Sequence, residues 1–214
     1  QRWVNRWRLE KKNPAAEVSE PVKPITFWID RNVPLAYRET VRAAVLEWKK
    51  PFEKIGFSNA IVVQQQPDDA AFDTLDFGYA SVRWMMNADP VFGAIGPSHV
   101  DPRTGEILDA DIAFEGMQTR KARQERTQML GRSPPGADAV VPGFAAPFEL
   151  PGGSAAAQDH SLCQHGALAA EQLGYALDVL EASGEIEPDS AIAQQFVLDY
   201  VKQVIMHEVG HALG

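Results

Sequence analysis

Two histidines and a glutamate near the C-terminus have the residue types and the spacing of a metal-dependent hydrolytic site. His207 and His211 are four positions apart, and Glu208 directly follows the first histidine. On a helix, residues four apart lie on one face, with roughly 5–6 Å between their Cβ atoms. Two imidazoles placed in this way can bind one Zn²⁺ at about 2.0–2.1 Å each, which leaves positions for a third ligand and a water. Glu208 can approach that water without binding the metal.

The sequence around this HExxH pattern favours a catalytic metal site over two surface histidines beside a solvated glutamate. Residues 204–206 are apolar, as the turn before such a site requires when the helix is buried in a catalytic core. The two residues between Glu208 and His211 carry no charge. We therefore predict that His207 and His211 bind zinc and that Glu208 is the catalytic residue.

A glycine three residues after the second histidine extends the pattern to HExxHxxG. We expect the helix to end at Gly214, because glycine adopts a left-handed conformation without a Cβ penalty. The pattern resembles the first eight positions of the metzincin pattern HExxHxxGxxH, in which the glycine turns the chain and a third histidine completes the zinc site. This resemblance implies a third ligand three residues past Gly214. We therefore expect the chain by itself to bind zinc weakly or not at all, without turnover.

Four further segments are similar to parts of large bacterial zinc-dependent metalloproteases of the metzincin type. They are residues 7–12, 20–25, 56–60 and 101–107. The resemblance extends over residues 23–214, although only the last eight residues carry a specific motif. It implies a zinc metalloendopeptidase that is exported, periplasmic or associated with the cell envelope.

Composition and charge limit the other classes of function. With 214 residues, of which 45% are hydrophobic, the chain can form one domain with a sizeable core. A net charge of −9 argues against general nucleic-acid binding, and no apolar run reaches the ~20 residues of a membrane helix. The single cysteine excludes an internal disulfide and leaves the compartment open. We interpret both ends as cuts, so the missing signal peptide is uninformative about location.

Hydrophobic periodicity and turn residues predict the order of the elements. We expect strands at residues 25–29, 60–63 and 76–84, and helices over 37–55, over 167–182 and from Ser190 into the histidines. Pro51 should kink the first of these helices or mark its last turns. Residues 91–99 and 107–114 should form a hairpin around the turn at 101–105, and glycine and proline in the first arm suit an edge strand. This order resembles the upper half of a metzincin catalytic domain. It predicts an α+β fold with a twisted, mostly parallel sheet, an antiparallel edge strand, a backing helix and a C-terminal active-site helix.

The chain divides into a short lead-in and a catalytic domain. We interpret residues 1–22 as a lead-in from a missing N-terminal region, in which Trp3 and Trp7 pack on a neighbouring domain. Residues 23–214 form the upper half of the catalytic domain. Within it, residues 117–189 are an insertion, and its glycine- and proline-rich middle, 131–153, predicts an extended loop.

Two further groups of residues have metal-binding chemistry. His160, Cys163 and His165 could form a second metal site or supply a thiolate that reaches the zinc, but the glycine-rich surroundings favour a polar loop that contains them by chance. Three acids near the hairpin could bind Ca²⁺, although a solvated strand explains them equally well. These acids are Asp101, Asp109 and Asp111, and we expect the nearby His99 to be a surface residue.

The sequence therefore favours a zinc endopeptidase whose peptide or protein substrate lies extended along the edge strand at residues 91–99. The remainder of a longer parent protein is expected as a further partner. Two alternatives remain open. One is a non-catalytic module that binds a peptide or partner on a metallopeptidase-like fold, although such a module has no need for Glu208. The other is a thermolysin-like peptidase, whose helix would continue past Gly214 toward a later glutamate ligand.

Overall fold

A computed structural model describes residues 3–118, 120, 163–187 and 190–214 of the chain. The predicted loop over 131–153 and His160 lie outside these residues. The described elements are β1 (Ile25–Ile29), α1 (Leu35–Leu46), α2 (Lys49–Lys54), β2 (Ile61–Gln65), β3 (Ser81–Met85), β4 (Ala94–Ile95), β5 (Ser98–Val100), β6 (Ile107–Glu115), α3 (His165–Ala182) and α4 (Ala191–Ala212).

The described strands form one mixed sheet in the order β2-β1-β3-β6-β4, and β5 also pairs with β6. The pairs β1–β2, β1–β3 and β3–β6 are parallel, whereas β4 and β5 run antiparallel to β6. Helix α1 contacts β1, β2 and α4, and α4 contacts β6. The α+β class, the mostly parallel sheet and its antiparallel edge are therefore confirmed.

The predicted hairpin is confirmed, and its first arm is interrupted. Strands β4 and β5 are separated by Gly96 and Pro97, because proline cannot donate to a ladder and glycine weakens one. The turn between β5 and β6 is closed by the Gly105 amide, which donates to the Asp101 carbonyl at 2.8 Å. Gly105 has a φ of +76°, a conformation that favours glycine.

The single helix predicted over residues 37–55 is wrong, because the chain forms two helices there. The break lies at Glu47 and Trp48, before Pro51. A proline ring clashes with the carbonyl four residues earlier, which here belongs to Glu47. Pro51 is instead accommodated in the first turn of α2, where a backbone N–H has no intrahelical partner.

The other element boundaries shift by a few residues. Strand β3 begins at Ser81, so residues 76–80 precede the strand instead of extending it. Helix α3 begins at His165, two residues before the predicted start. The predicted cap of the last helix is confirmed, because the Ser190 hydroxyl accepts a hydrogen bond from the Ala193 amide at 3.2 Å.

The described part of residues 1–22 packs on the rest of the chain. The Trp7 indole packs edge-on against Phe27 at 6.5 Å between ring centroids, and its Nε1 donates to the Ala212 carbonyl at 2.9 Å. The Arg6 amide donates to the Gly105 carbonyl at 2.9 Å. The contact that we predicted for a neighbouring domain is thus made by Trp7 within residues 3–214, and a region before residue 1 stays a prediction. Among the described residues, no helix combines the length and the hydropathy needed to cross a bilayer.

Candidate metal centre

The end of α4 brings His207 and His211 together as the four-residue spacing predicts. Their Nε2 atoms are 3.1 Å apart, and their rings meet at 75° with centroids 4.9 Å apart. His211 is exposed and His207 is half-buried. Two nitrogens at 2.0–2.1 Å from one tetrahedral zinc ion would lie about 3.3 Å apart. The observed spacing fits such an ion.

The protonation state of His207 also suits a metal ligand. Burial, followed by the charges of His165 and His211, lowers the pKa of His207 below its ordinary value of 6.5. The ring is therefore neutral at pH 7, which is the state in which an imidazole binds a metal.

Glu208 is fully buried at 0% exposure, and neither of its carboxylate oxygens has a hydrogen-bond partner among the described residues. A buried carboxylate without partners is costly in its charged form. Burial accordingly raises the pKa of Glu208 from 4.5 to about 7. A carboxyl group that titrates near neutral pH can both accept and donate a proton there.

A close backbone contact places Glu208 beside the edge strand. A Cβ atom added at Gly96 would lie 2.5 Å from the Glu208 carbonyl oxygen, which only a glycine avoids. The helix ends at Ala212, and two residues later Gly214 has a φ of +92°; an added Cβ there would meet the Asn5 carbonyl oxygen at 2.2 Å. The predicted left-handed glycine is confirmed.

Cys163 and His165 lie at this centre, where sequence reasoning raised a thiolate that could reach the metal but favoured a polar loop that contains these residues by chance. The Cys163 Sγ is 3.3 Å from the His207 Nε2, and the ligand atoms of Cys163, His207 and His211 all lie within 4.8 Å of one another. The His165 ring stacks on that of His207 at 4.1 Å and 20°, and its Nε2 is 3.3 Å from the Gln203 Nε2. The interpretation of these two residues as part of an unrelated polar loop is wrong, because His165 begins α3, which packs on α4, and Cys163 lies two residues before it.

A pair of glycines holds the start of α3 against the edge strand. A Cβ at Gly93 would meet the Gly166 carbonyl carbon at 2.2 Å, and a Cβ at Gly166 would meet the Ala94 amide nitrogen at 2.7 Å. The Tyr200 hydroxyl of α4 donates to the Gly166 carbonyl at 3.3 Å. These contacts fix the position of α3, from which Cys163 and His165 reach the histidines of α4.

Replacing Gly93 with alanine tests this contact. We expect Gly93→Ala to lower the free energy of unfolding by at least about 3 kcal/mol, because the new Cβ meets backbone atoms that cannot rotate away. Gly184→Ala is the control, since a Cβ there meets nothing within 4 Å at a φ of +73°, and its cost should be about 1–2 kcal/mol. Denaturant unfolding measures both, and equal costs would contradict the contact.

A cleft of about 620 Å³ opens beside His207. Its apolar lining comes from Trp48, Pro51 and Met206, and lysines contribute to its rim. The Trp48 Nε1 donates to the Met206 carbonyl at 2.9 Å, which ties α4 to the segment between α1 and α2. The cleft has room for an apolar side chain next to the candidate metal ligands.

A second group with ligand chemistry lies on the hairpin. The side chains of His99, Asp109 and Asp111 have ligand atoms within 4.8 Å of one another, whereas Asp101 binds the Arg103 side chain. Asp109 accepts from the Gly78 amide at 3.0 Å, and Asp111 accepts from the Ser81 hydroxyl at 2.7 Å. His99 is exposed, as predicted.

Comparison with known proteins yields no match, since no family model, no curated protein and no solved structure is similar enough to assign the chain.

Proposed function

We propose that this chain carries the catalytic centre of a zinc-dependent endopeptidase of the metzincin type. The observation that supports this function best is the convergence of the His207 and His211 nitrogens beside Glu208, whose buried carboxylate has no partner among the described residues. A non-catalytic binding module gains nothing from a buried acid that is costly to ionise. The mixed sheet with its antiparallel edge is compatible with the upper half of such a domain.

Each residue of the centre has a separate role in this proposal. The imidazoles of His207 and His211 bind the metal through their Nε2 atoms. When bound, a zinc ion supplies polarisation of the scissile carbonyl and lowers the pKa of a coordinated water toward about 7. Glu208 accepts the proton of the attacking water and then donates it to the leaving amine. The raised pKa of this carboxyl group supports the assignment, because an efficient proton carrier titrates near the working pH.

The edge of the sheet supplies a place for the substrate. Among the described strands, β4 pairs on one side only, with β6, so an extended peptide can add a further strand there. Gly96 carries this edge into contact with the Glu208 backbone, so that a peptide bound along it passes close to the centre. Main-chain hydrogen bonds of this kind impose little side-chain preference, and the cleft beside His207 is the candidate for selectivity. An exported location remains part of the proposal through the family resemblance.

Metal removal tests the proposed function in the protein as its gene encodes it. We expect a strong chelator to abolish hydrolysis of an unstructured protein substrate, and stoichiometric zinc to restore it. His207→Ala and His211→Ala should each lose bound zinc and turnover, because either change leaves one imidazole. His99→Ala is the matched control for metal binding, because His99 lies outside the centre, and it should keep its zinc. Hydrolysis that survives chelation, or that persists in both variants, would refute the proposal.

A further inference from the structure

We propose that Cys163 is a protein ligand of the zinc ion, so that this chain contains a three-ligand set of two imidazoles and one thiolate. This inference rests on the proposed function, since it adds a residue to the same metal centre. Thiolate and imidazole are both preferred zinc ligands, and catalytic zinc sites commonly have three protein ligands and a water. Cys163 would fill the third position, which the resemblance assigns to a residue past Gly214.

The distances at the centre support a shared ion. A sulfur at 2.3 Å and a nitrogen at 2.0–2.1 Å from a tetrahedral zinc would lie about 3.6 Å apart. The Cys163 Sγ is 3.3 Å from the His207 Nε2, and the His211 Nε2 is within 4.8 Å of that sulfur. The Cys163–His207 separation is a few tenths of an ångström from this value, and a shift of at most about 1.2 Å gives all three atoms ligand geometry. Such a shift is small for a half-buried side chain that precedes the first turn of α3.

The surroundings hold the thiol at this place independently of the ion. The Gly93–Gly166 contact fixes the first turn of α3, and the His165 ring stacks on the His207 ring. Glu208, which is fully buried and lacks a partner among the described residues, follows His207 directly. The ligand atoms of Cys163, His207 and His211 thus meet at one point, and Glu208 adjoins His207 in the chain.

Zinc binding would deprotonate the Cys163 thiol. The Sγ–H bond breaks, the released proton goes to the solvent buffer, and the sulfur lone pair forms the bond to zinc. No oxidant or reductant is required. Since the expectation of weak zinc binding counted only two imidazoles, the added thiolate predicts tight, stoichiometric binding by the 214-residue chain.

Cobalt and zinc titrations of this chain test the assignment. Cys163 is the single cysteine of the chain, so every thiolate signal comes from it. We expect one Co²⁺ per chain, with a near-ultraviolet thiolate-to-cobalt charge-transfer band in the unmodified protein. Cys163→Ser should lose this band and bind zinc more than about 100-fold more weakly, because loss of a direct ligand should exceed the 10–100-fold effect of losing an outer-shell partner. Zinc should also protect the thiol from a disulfide reagent.

Histidine variants separate failure of this inference from failure of the proposed function. His99→Ala, which alters the other group of possible ligands, should leave the band and the affinity unchanged. The role of Cys163 alone is overturned if metal binding requires His207 and His211 but shows no charge-transfer band. Cys163→Ser would then bind zinc with unaltered affinity. Absence of tight binding by this chain overturns the three-ligand set alone, because two imidazoles without a third ligand are expected to bind zinc weakly. Binding that is indifferent to His207→Ala overturns the metal centre itself. The band is read from the unmodified chain, so the test does not depend on how well a variant folds.

Discussion

Glu208→Gln should lower kcat/KM for peptide hydrolysis by about 10²–10⁴-fold, which is the usual contribution of general acid–base catalysis. The amide keeps the size of the carboxyl group but cannot accept the proton of the attacking water. Zinc should remain bound at one ion per chain, because the imidazoles that hold it are unchanged. Steady-state hydrolysis and metal content, measured together on the full-length protein, check both parts.

The matched control for this change is another acid of the same helix. Asp199 is exposed on α4 and binds the Gln195 side chain at 2.8 Å, away from the metal centre. Asp199→Asn should leave turnover close to that of the unmodified protein. Near-normal turnover in Glu208→Gln would refute the role of Glu208 as a proton carrier.

The metal-free chain should lose about 3 kcal/mol of stability, through Glu208 alone, as the pH rises through the range between 4.5 and about 7. Burial raises the pKa of this carboxyl group from 4.5 to about 7 in the folded chain. A group with a raised folded pKa contributes its full stability below the unfolded pKa and loses it as the pH rises through the folded pKa. Each pKa unit corresponds to about 1.4 kcal/mol.

Glu208→Gln removes this titration and provides the measurement. The free energy of unfolding is measured for both proteins, in the presence of a chelator, at pH 4.5 and at pH 8. In the difference between the two proteins at each pH, the contributions of the other acids cancel. We expect the variant to gain about 3 kcal/mol relative to the unmodified chain between these two pH values. Asp199→Asn should show no such gain. A pH-independent difference between Glu208→Gln and the unmodified chain would contradict the burial of an ionisable, unpartnered group.

Several features could be predicted from the sequence because they depend on residues close together in the chain. The four-residue spacing of His207 and His211 places both rings on one helical face, whatever surrounds the helix. Ser190 caps α4 through its own hydroxyl, and Gly214 takes the positive φ that its lack of a Cβ permits. The turn that Gly105 closes depends likewise on local chemistry. The effect of Pro51 is also local, but the helix breaks at Glu47 and Trp48 instead of at Pro51. The proline ring clashes with the carbonyl four residues before it.

Other features depend on contacts between distant segments, so that spacing and periodicity could not reveal them. Glu208 is adjacent to His207 in sequence, yet it is fully buried in the tertiary structure, where Gly96 of the sheet edge approaches its backbone. Cys163 is 44 residues from His207, and the composition of the segment between β6 and α3 indicated a loop. The contact between Gly93 and Gly166 holds the start of α3 beside the sheet edge, and this places the Cys163 thiol next to His207.

The sequence alone predicted a type of chemistry, because two imidazoles and an acid at fixed helical spacing define what one helix can offer to a metal. It also determined the mixed sheet and its weak edge, through alternation and through the placement of glycine and proline. The tertiary structure decided how many ligands meet and how strongly the acid is buried. Both depend on how closely separate elements pack. The elements pack closely where glycine lets two backbones touch without a side chain between them.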